Sequence, residues 1–161
     1  ADIARDAGVR RPSLLYHFPS KDVLHRAVVD RLFTDVLARF GEVGGLGSSL
    51  PETIEALFGV WVGFIDERPA FAPIVLRGIL DGHGPVQDHL QNQLVPLLAS
   101  IEVWIRQAGV LADDVSVRAT LLQIGSATLV RGAAGPLRGP LWGNEDPMVG
   151  LRRLFALPST V

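Results

Sequence analysis

The chain opens on Asp2-Ile3-Ala4-Arg5-Asp6-Ala7-Gly8-Val9-Arg10-Arg11-Pro12-Ser13-Leu14-Leu15-Tyr16-His17-Phe18-Pro19-Ser20-Lys21, a segment dense in helix and turn signals. Ile3, Ala4 and Ala7 recur at helical spacing and give a short helix a small apolar face. Gly8 stands where a helix ends on a left-handed residue, a conformation glycine reaches without a Cβ penalty. Pro12 suits the first turn of a second helix, where its missing N–H costs nothing. Leu14 and Phe18 lie four apart on one face of that helix, and Pro19 stops it. Ser20 is an N-cap for a third helix, with Asp22 in its first turn. Two short helices crossing at a glycine turn make a helix-turn-helix.

The outward positions of the second helix carry Arg10, Arg11, Ser13, Tyr16 and His17, with Lys21 opening the third. Arginine bonds the O6 and N7 edge of guanine in a bidentate way. Ser, Tyr and Lys suit phosphate oxygens, which position a protein on DNA without reading sequence.

Ile3-Ala4 through Gly8-Val9, then Pro12-Ser13-Leu14, then Tyr16-His17-Phe18-Pro19-Ser20-Lys21 with Leu24, resembles the signature of the TetR family of bacterial transcriptional regulators. The resemblance implies an all-α homodimer. Its helix-turn-helix head would bind a palindromic operator in double-stranded DNA, and its larger helical body would bind a small-molecule effector. By position, Arg10, Arg11, Pro12 and Ser13 fall where the family contacts bases, and Tyr16, His17 and Lys21 where it contacts phosphates. Leu15 stands where the family usually has tyrosine, and Tyr16 is the substitute for that contact. The family also has a helix ahead of the motif, so the chain as given reads as N-terminally truncated.

Charge follows the same division. Residues 1–40 hold seven Arg or Lys and five Asp or Glu, whereas residues 41–161 hold eight and twelve. A basic end on an acidic body suits contact with a polyanion at one end only. The absence of cysteine excludes a disulfide framework and thiolate metal sites, and fits a cytoplasmic protein. Apolar residues make up 48% of the chain and mean hydropathy is +0.29, which points to a subunit interface or an internal apolar cavity. No charge-free run is long enough to span a bilayer.

We divide the chain into a head with its connecting helix over 1–40 and an effector-binding and dimerisation domain over 41–161. The connecting helix, 21–40, carries Asp22 to Arg26 and Asp35 to Arg39 as i,i+4 ion pairs. The glycine-rich run 41–50 reads as a hinge. Helices follow over 51–68, 70–81, 86–108 and 114–131. Ser49 to Glu52 is a capping box, Pro96 a kink, and Asp113 or Asp114 the last N-cap. Residues 132–146 read as a long Gly/Pro-rich loop, and 147–157 as a final helix begun by Asp146-Pro147.

The body brings the large aromatics Phe58, Trp61, Phe64, Phe71 and Trp104 into a helical bundle, where such residues line either a core or a binding cavity. With the resemblance, they read as ligand-binding residues for a largely apolar effector, Arg77 and Gln123 adding polar groups. The helices over 114–131 and 147–157 read as the dimer seam. Asp81, His83, Asp88 and His89 crowd one turn, but His83 and His89 are not at metal-ligand spacing, and the turn reads as solvated. No cofactor fingerprint or catalytic motif occurs, so neither a cofactor nor an enzymatic activity is expected. The rival reading is a helical small-molecule-binding protein without DNA-coupled function.

Overall fold

The computed structural model describes residues 2–43, 49–107 and 116–149. Within them the chain is all-α, with no strand among the described residues. Helix α1 (Asp2–Asp6) ends at Gly8, which takes φ +66°. Val9 N–H donates to Ala4 O at 2.9 Å and Gly8 N–H to Arg5 O at 3.1 Å. This crossed pair satisfies the last carbonyls of α1 and turns the chain sharply into α2 (Arg11–His17). Pro12 sits in the first turn of α2. Ser20 Oγ then accepts from Val23 N–H at 3.1 Å, capping α3 (Lys21–Val43). Helix α3 runs three residues past the expected end of the connecting segment, unbroken across position 40.

Helix α4 (Leu50–Glu67) opens as the capping-box pattern predicts. The Ser49 N–H and hydroxyl both donate to the Glu52 carboxylate, at 2.9 and 3.0 Å. Arg68 ends it ahead of Pro69, and α5 (Phe71–Asp81) follows. The turn over 82–84 leads into α6 (Pro85–His89).

The kink expected at Pro96 takes a specific form. Between α6 and α7 (Val95–Gln107) lies one π-helical turn, Leu90–Leu94, in which Val95 N–H reaches back five residues to Leu90 O. Pro96 has no N–H to return to Asn92 O, so an α-helical ladder would lapse there. One wider turn placed just before the proline absorbs the mismatch.

Two expectations are corrected downstream. Helix α8 (Val117–Ala133) is capped by Ser116, whose side chain accepts from Ala119 N–H, whereas Asp113 and Asp114 lie outside the described residues. The Gly/Pro-rich stretch 132–146 is mostly helical. It ends α8, forms a 3-10 turn (Gly135–Leu137), and enters α9 (Arg138–Trp142). Pro136 and Pro140 each occupy a first turn, the one helical place where proline costs little. Asp146 Oδ1 accepts from Met148 N–H at 2.8 Å, as an N-cap would. The rest of the expected final helix, 150–157, and the centre of the glycine-rich hinge, 44–48, lie outside the described residues.

Two apolar clusters hold the body. The first joins Val29, Phe33 and Val36 of α3 to Phe64 and Ile65 of α4, Phe71, Ala72 and Val75 of α5, Val86 of α6, and Leu129 of α8. The second joins Ile54 of α4, Ile105 of α7, Val117 and Leu121 of α8, and Met148. Helix α4 contributes to both and is the central post. Val86 packs flat against Gly78, where a Cβ would fall 2.3 Å from the Val86 Cβ, so α5 and α6 meet backbone to side chain.

Candidate nucleic-acid interface

No residue of α2 is buried. Its inner side is half-buried Leu14, with Phe18 just beyond the helix end. Arg10, Arg11, Pro12, Ser13, Leu15, Tyr16 and His17 are exposed, and so is Lys21 on α3. Tyr16 is 84% exposed, and its ring stands edge-on to His17 at 5.2 Å. A large aromatic side chain held this far into water, beside two arginines on a short rod, presents donors and a basic edge to whatever approaches. The motif is therefore assembled as its local signals predict, with both arginines outward.

Residues 1–28 match the family of bacterial regulatory proteins described as the tetR family. The head is similar to that of TetR-family regulators. No curated protein and no solved structure gives a match to the chain. The TetR-type head thus comprises α1, α2 and the start of α3, and a DNA-binding role in transcription follows from it. Among the described residues no helix is long and apolar enough to cross a membrane.

Behind the head, α3 is gripped along its inner length by contacts that the sequence pattern did not reveal. Asp30 Oδ1 meets His89 Nε2 at 2.7 Å, and the other ring nitrogen of His89 meets Gln93 Oε1 at 2.9 Å. The His89 ring stacks on Phe33 at 4.6 Å with a 7° tilt. Arg26 pairs with Asp88 at 3.2 Å. Further along, Asp35 accepts from both Arg31 and Arg68, and Arg39 binds Glu67 at 2.7 Å. The guanidinium groups of Arg39 and Arg68 lie over the Phe64 ring at 5.2 and 5.4 Å.

The hydrogen bond from Arg39 holds the Glu67 carboxyl below the usual carboxylate range and raises Arg39 in turn. The expected local pairs are corrected accordingly: Arg26 and Arg39 turn to carboxylates of α6 and α4. His89 likewise leaves the solvated turn expected of it and becomes a bridge between α6 and α3. Among the described residues no cluster of three His, Asp or Glu side chains could hold a metal.

The residues expected to line an effector site are dispersed. Phe64 and Phe71 are buried and pack edge to face at 4.9 Å. Trp61 meets Phe71 at 5.7 Å and stacks on Phe40 at 6.4 Å, and its indole N–H is enclosed without a hydrogen-bond partner. Phe58 packs on the second cluster. Trp104 is exposed in a shallow groove with Ala99, Ser100, Val103 and Gln107. Gln123 is exposed on α8. Arg77 is exposed on α5 and bound to Asp81 at 3.1 Å. The structure therefore unites Trp61, Phe64 and Phe71 and sets the other four apart from them.

Proposed function

We propose that this regulator is a ligand-responsive repressor, released from a palindromic operator when a small, largely apolar effector occupies its body. The observation that carries the reading is the outward row of Arg10, Arg11, Ser13, Tyr16 and His17 on a helix with no buried residue. Arg10 and Arg11 read bases. Tyr16, His17 and Lys21 hold phosphates and fix the register.

A dimer is supported by α8. Ala119, Leu122, Gln123, Ser126, Ala127 and Val130 are all exposed and uncharged, and recur at helical spacing along one face. Leu122 and Val130 are 47% and 46% exposed. Small residues between larger apolar ones let two such helices approach closely, and a monomer would leave this stripe in water. A twofold dimer presents its two recognition helices to successive major grooves, about 34–36 Å apart.

Effector control follows from α3, which carries the head and is tied at several points to α4 and α6. An effector that binds better to the arrangement unfit for DNA shifts the population toward it. Within the aromatic set, Trp61 supports an effector in the body, since its enclosed N–H is a donor awaiting an acceptor.

Fluorescence anisotropy with the promoter of the protein's own gene tests the proposal. Binding should prefer a palindrome and weaken steeply with salt. Equal affinity for scrambled DNA, with no salt dependence, would leave the rival reading of a small-molecule-binding protein without DNA-coupled function.

A further inference from the structure

Among the exposed positions of α2, Leu15 is the one large aliphatic side chain. It is 46% exposed and belongs to neither apolar cluster of the body, whereas its neighbour Leu14 is half-buried. The roles assigned above to Arg10, Arg11, Tyr16, His17 and Lys21 leave Leu15 without one. A lone exposed leucine on an ordinary surface means little. This one sits on a rod of seven residues, none of them buried, with Arg11 four positions before it and Tyr16 next to it.

We infer that Leu15 is a specificity-determining residue, packing against the C5-methyl group of a thymine close to the base read by Arg11. The inference rests on the DNA-binding reading above. A leucine side chain carries no donor or acceptor, so it can bond neither a phosphate oxygen nor a polar base edge. In the major groove the four bases display donors, acceptors and a single apolar group, the thymine methyl. A leucine held against any other base edge strips water from polar atoms and returns no hydrogen bond. It therefore favours thymine in two ways, by contact with the methyl and by a penalty on the alternatives.

The spacing on α2 says where that thymine lies. Residues four apart stand one above the other on a helix face, so Arg11 and Leu15 address the same side of α2. Four residues advance a helix by about 6 Å, so the thymine lies within about two base pairs of the guanine bonded by Arg11, on either strand. Tyr16 is 84% exposed and projects about 100° round the helix from Leu15, so its hold on a phosphate does not compete with this contact.

The test is anisotropy of the full chain on promoter DNA in which each thymine in turn is replaced by deoxyuridine, which lacks only the methyl. In each half-site one such replacement should weaken wild-type binding about fourfold, the worth of one buried methyl. That thymine should lie within the stated distance of the position whose base preference Arg11→Ala relaxes. Leu15→Ala should bind the thymine and deoxyuridine forms equally. Leu15→Gln, of similar length with a polar tip, should lose the discrimination as well, so the result does not hang on one variant. Leu15 is exposed, and unchanged far-UV circular dichroism would show both variants folded. No sensitive thymine within that distance, or the same loss on deoxyuridine in both variants, overturns the role of Leu15 and leaves the regulator reading standing. Failure of the wild type to bind the promoter at all overturns the regulator reading, and this inference with it.

Discussion

Removing the Phe71 ring distinguishes packed core from effector cavity at the centre of the body. Phe71 is 1% exposed and meets three other rings: Phe64 at 4.9 Å, Trp61 at 5.7 Å and Phe33 at 5.9 Å. It thereby joins α5 to both α3 and α4. Burial of a whole phenyl group means that Phe71→Ala forfeits its transfer free energy and leaves a cavity, a combined cost of about 3–5 kcal/mol. Three edge-on ring contacts go with it, each contributing about 0.5–1.5 kcal/mol beyond area burial, so the upper part of that range applies.

We expect a loss of about 4–5 kcal/mol in urea unfolding followed by circular dichroism. In a chain of this size that lowers Tm by about 8–20 °C. Phe71→Leu keeps most of the volume and should cost only about 1–1.5 kcal/mol. The slope against urea must stay the same for these differences to be read as stability. A cost below about 1 kcal/mol for Phe71→Ala would refute the reasoning. It would mean that the ring borders an open cavity, and that Phe64 and Phe71 line an effector site rather than fill a core.

The remaining predictions concern the head, the seam and the α3 clamp. Arg11→Ala should weaken promoter binding about 5–150-fold and relax base preference at one operator position, read by anisotropy against a set of single-base variants. Lys21→Ala should instead weaken binding to all sequences alike and lower the slope of log affinity against log salt by about one per subunit. Leu122→Glu places a charge in the proposed α8 seam, and sedimentation equilibrium should show dimerisation at least about tenfold weaker. Glu67 is held below its ordinary range by the hydrogen bond from Arg39. Its contribution is therefore present above the unfolded carboxyl value and lost as pH falls through the folded one. Thermal melts should show wild type ahead of Glu67→Gln at neutral pH, with the gap closing in acid.

How much of this was legible in the residues depends on how far apart the interacting groups stand. The crossed hydrogen bonds at Gly8, the Ser20 cap, the Ser49–Glu52 box and the Pro12 first turn each involve groups no more than five positions apart. Such contacts form from local sequence in almost any surroundings, so the head and most helix starts could be read directly. The stretch 132–146 misled because Gly and Pro are loop residues on average, yet Pro136 and Pro140 each fell on a first turn, which only the path of the chain could decide. Pro96 announced a disturbance but not its form, the π-helical turn before it.

The ties from α3 to α6 had no local signal. Asp30 meets His89 across 59 positions, and Arg26 meets Asp88 across 62. The aromatic residues carried a signal with two meanings, and packing separated Phe64 and Phe71 from Trp104. An all-α chain with a basic recognition rod could be read from the residues alone, because helix periods, caps and turns are short-range effects. Which charges pair and which rings are core were settled by packing, because both depend on bringing distant helices to within a few ångströms of one another.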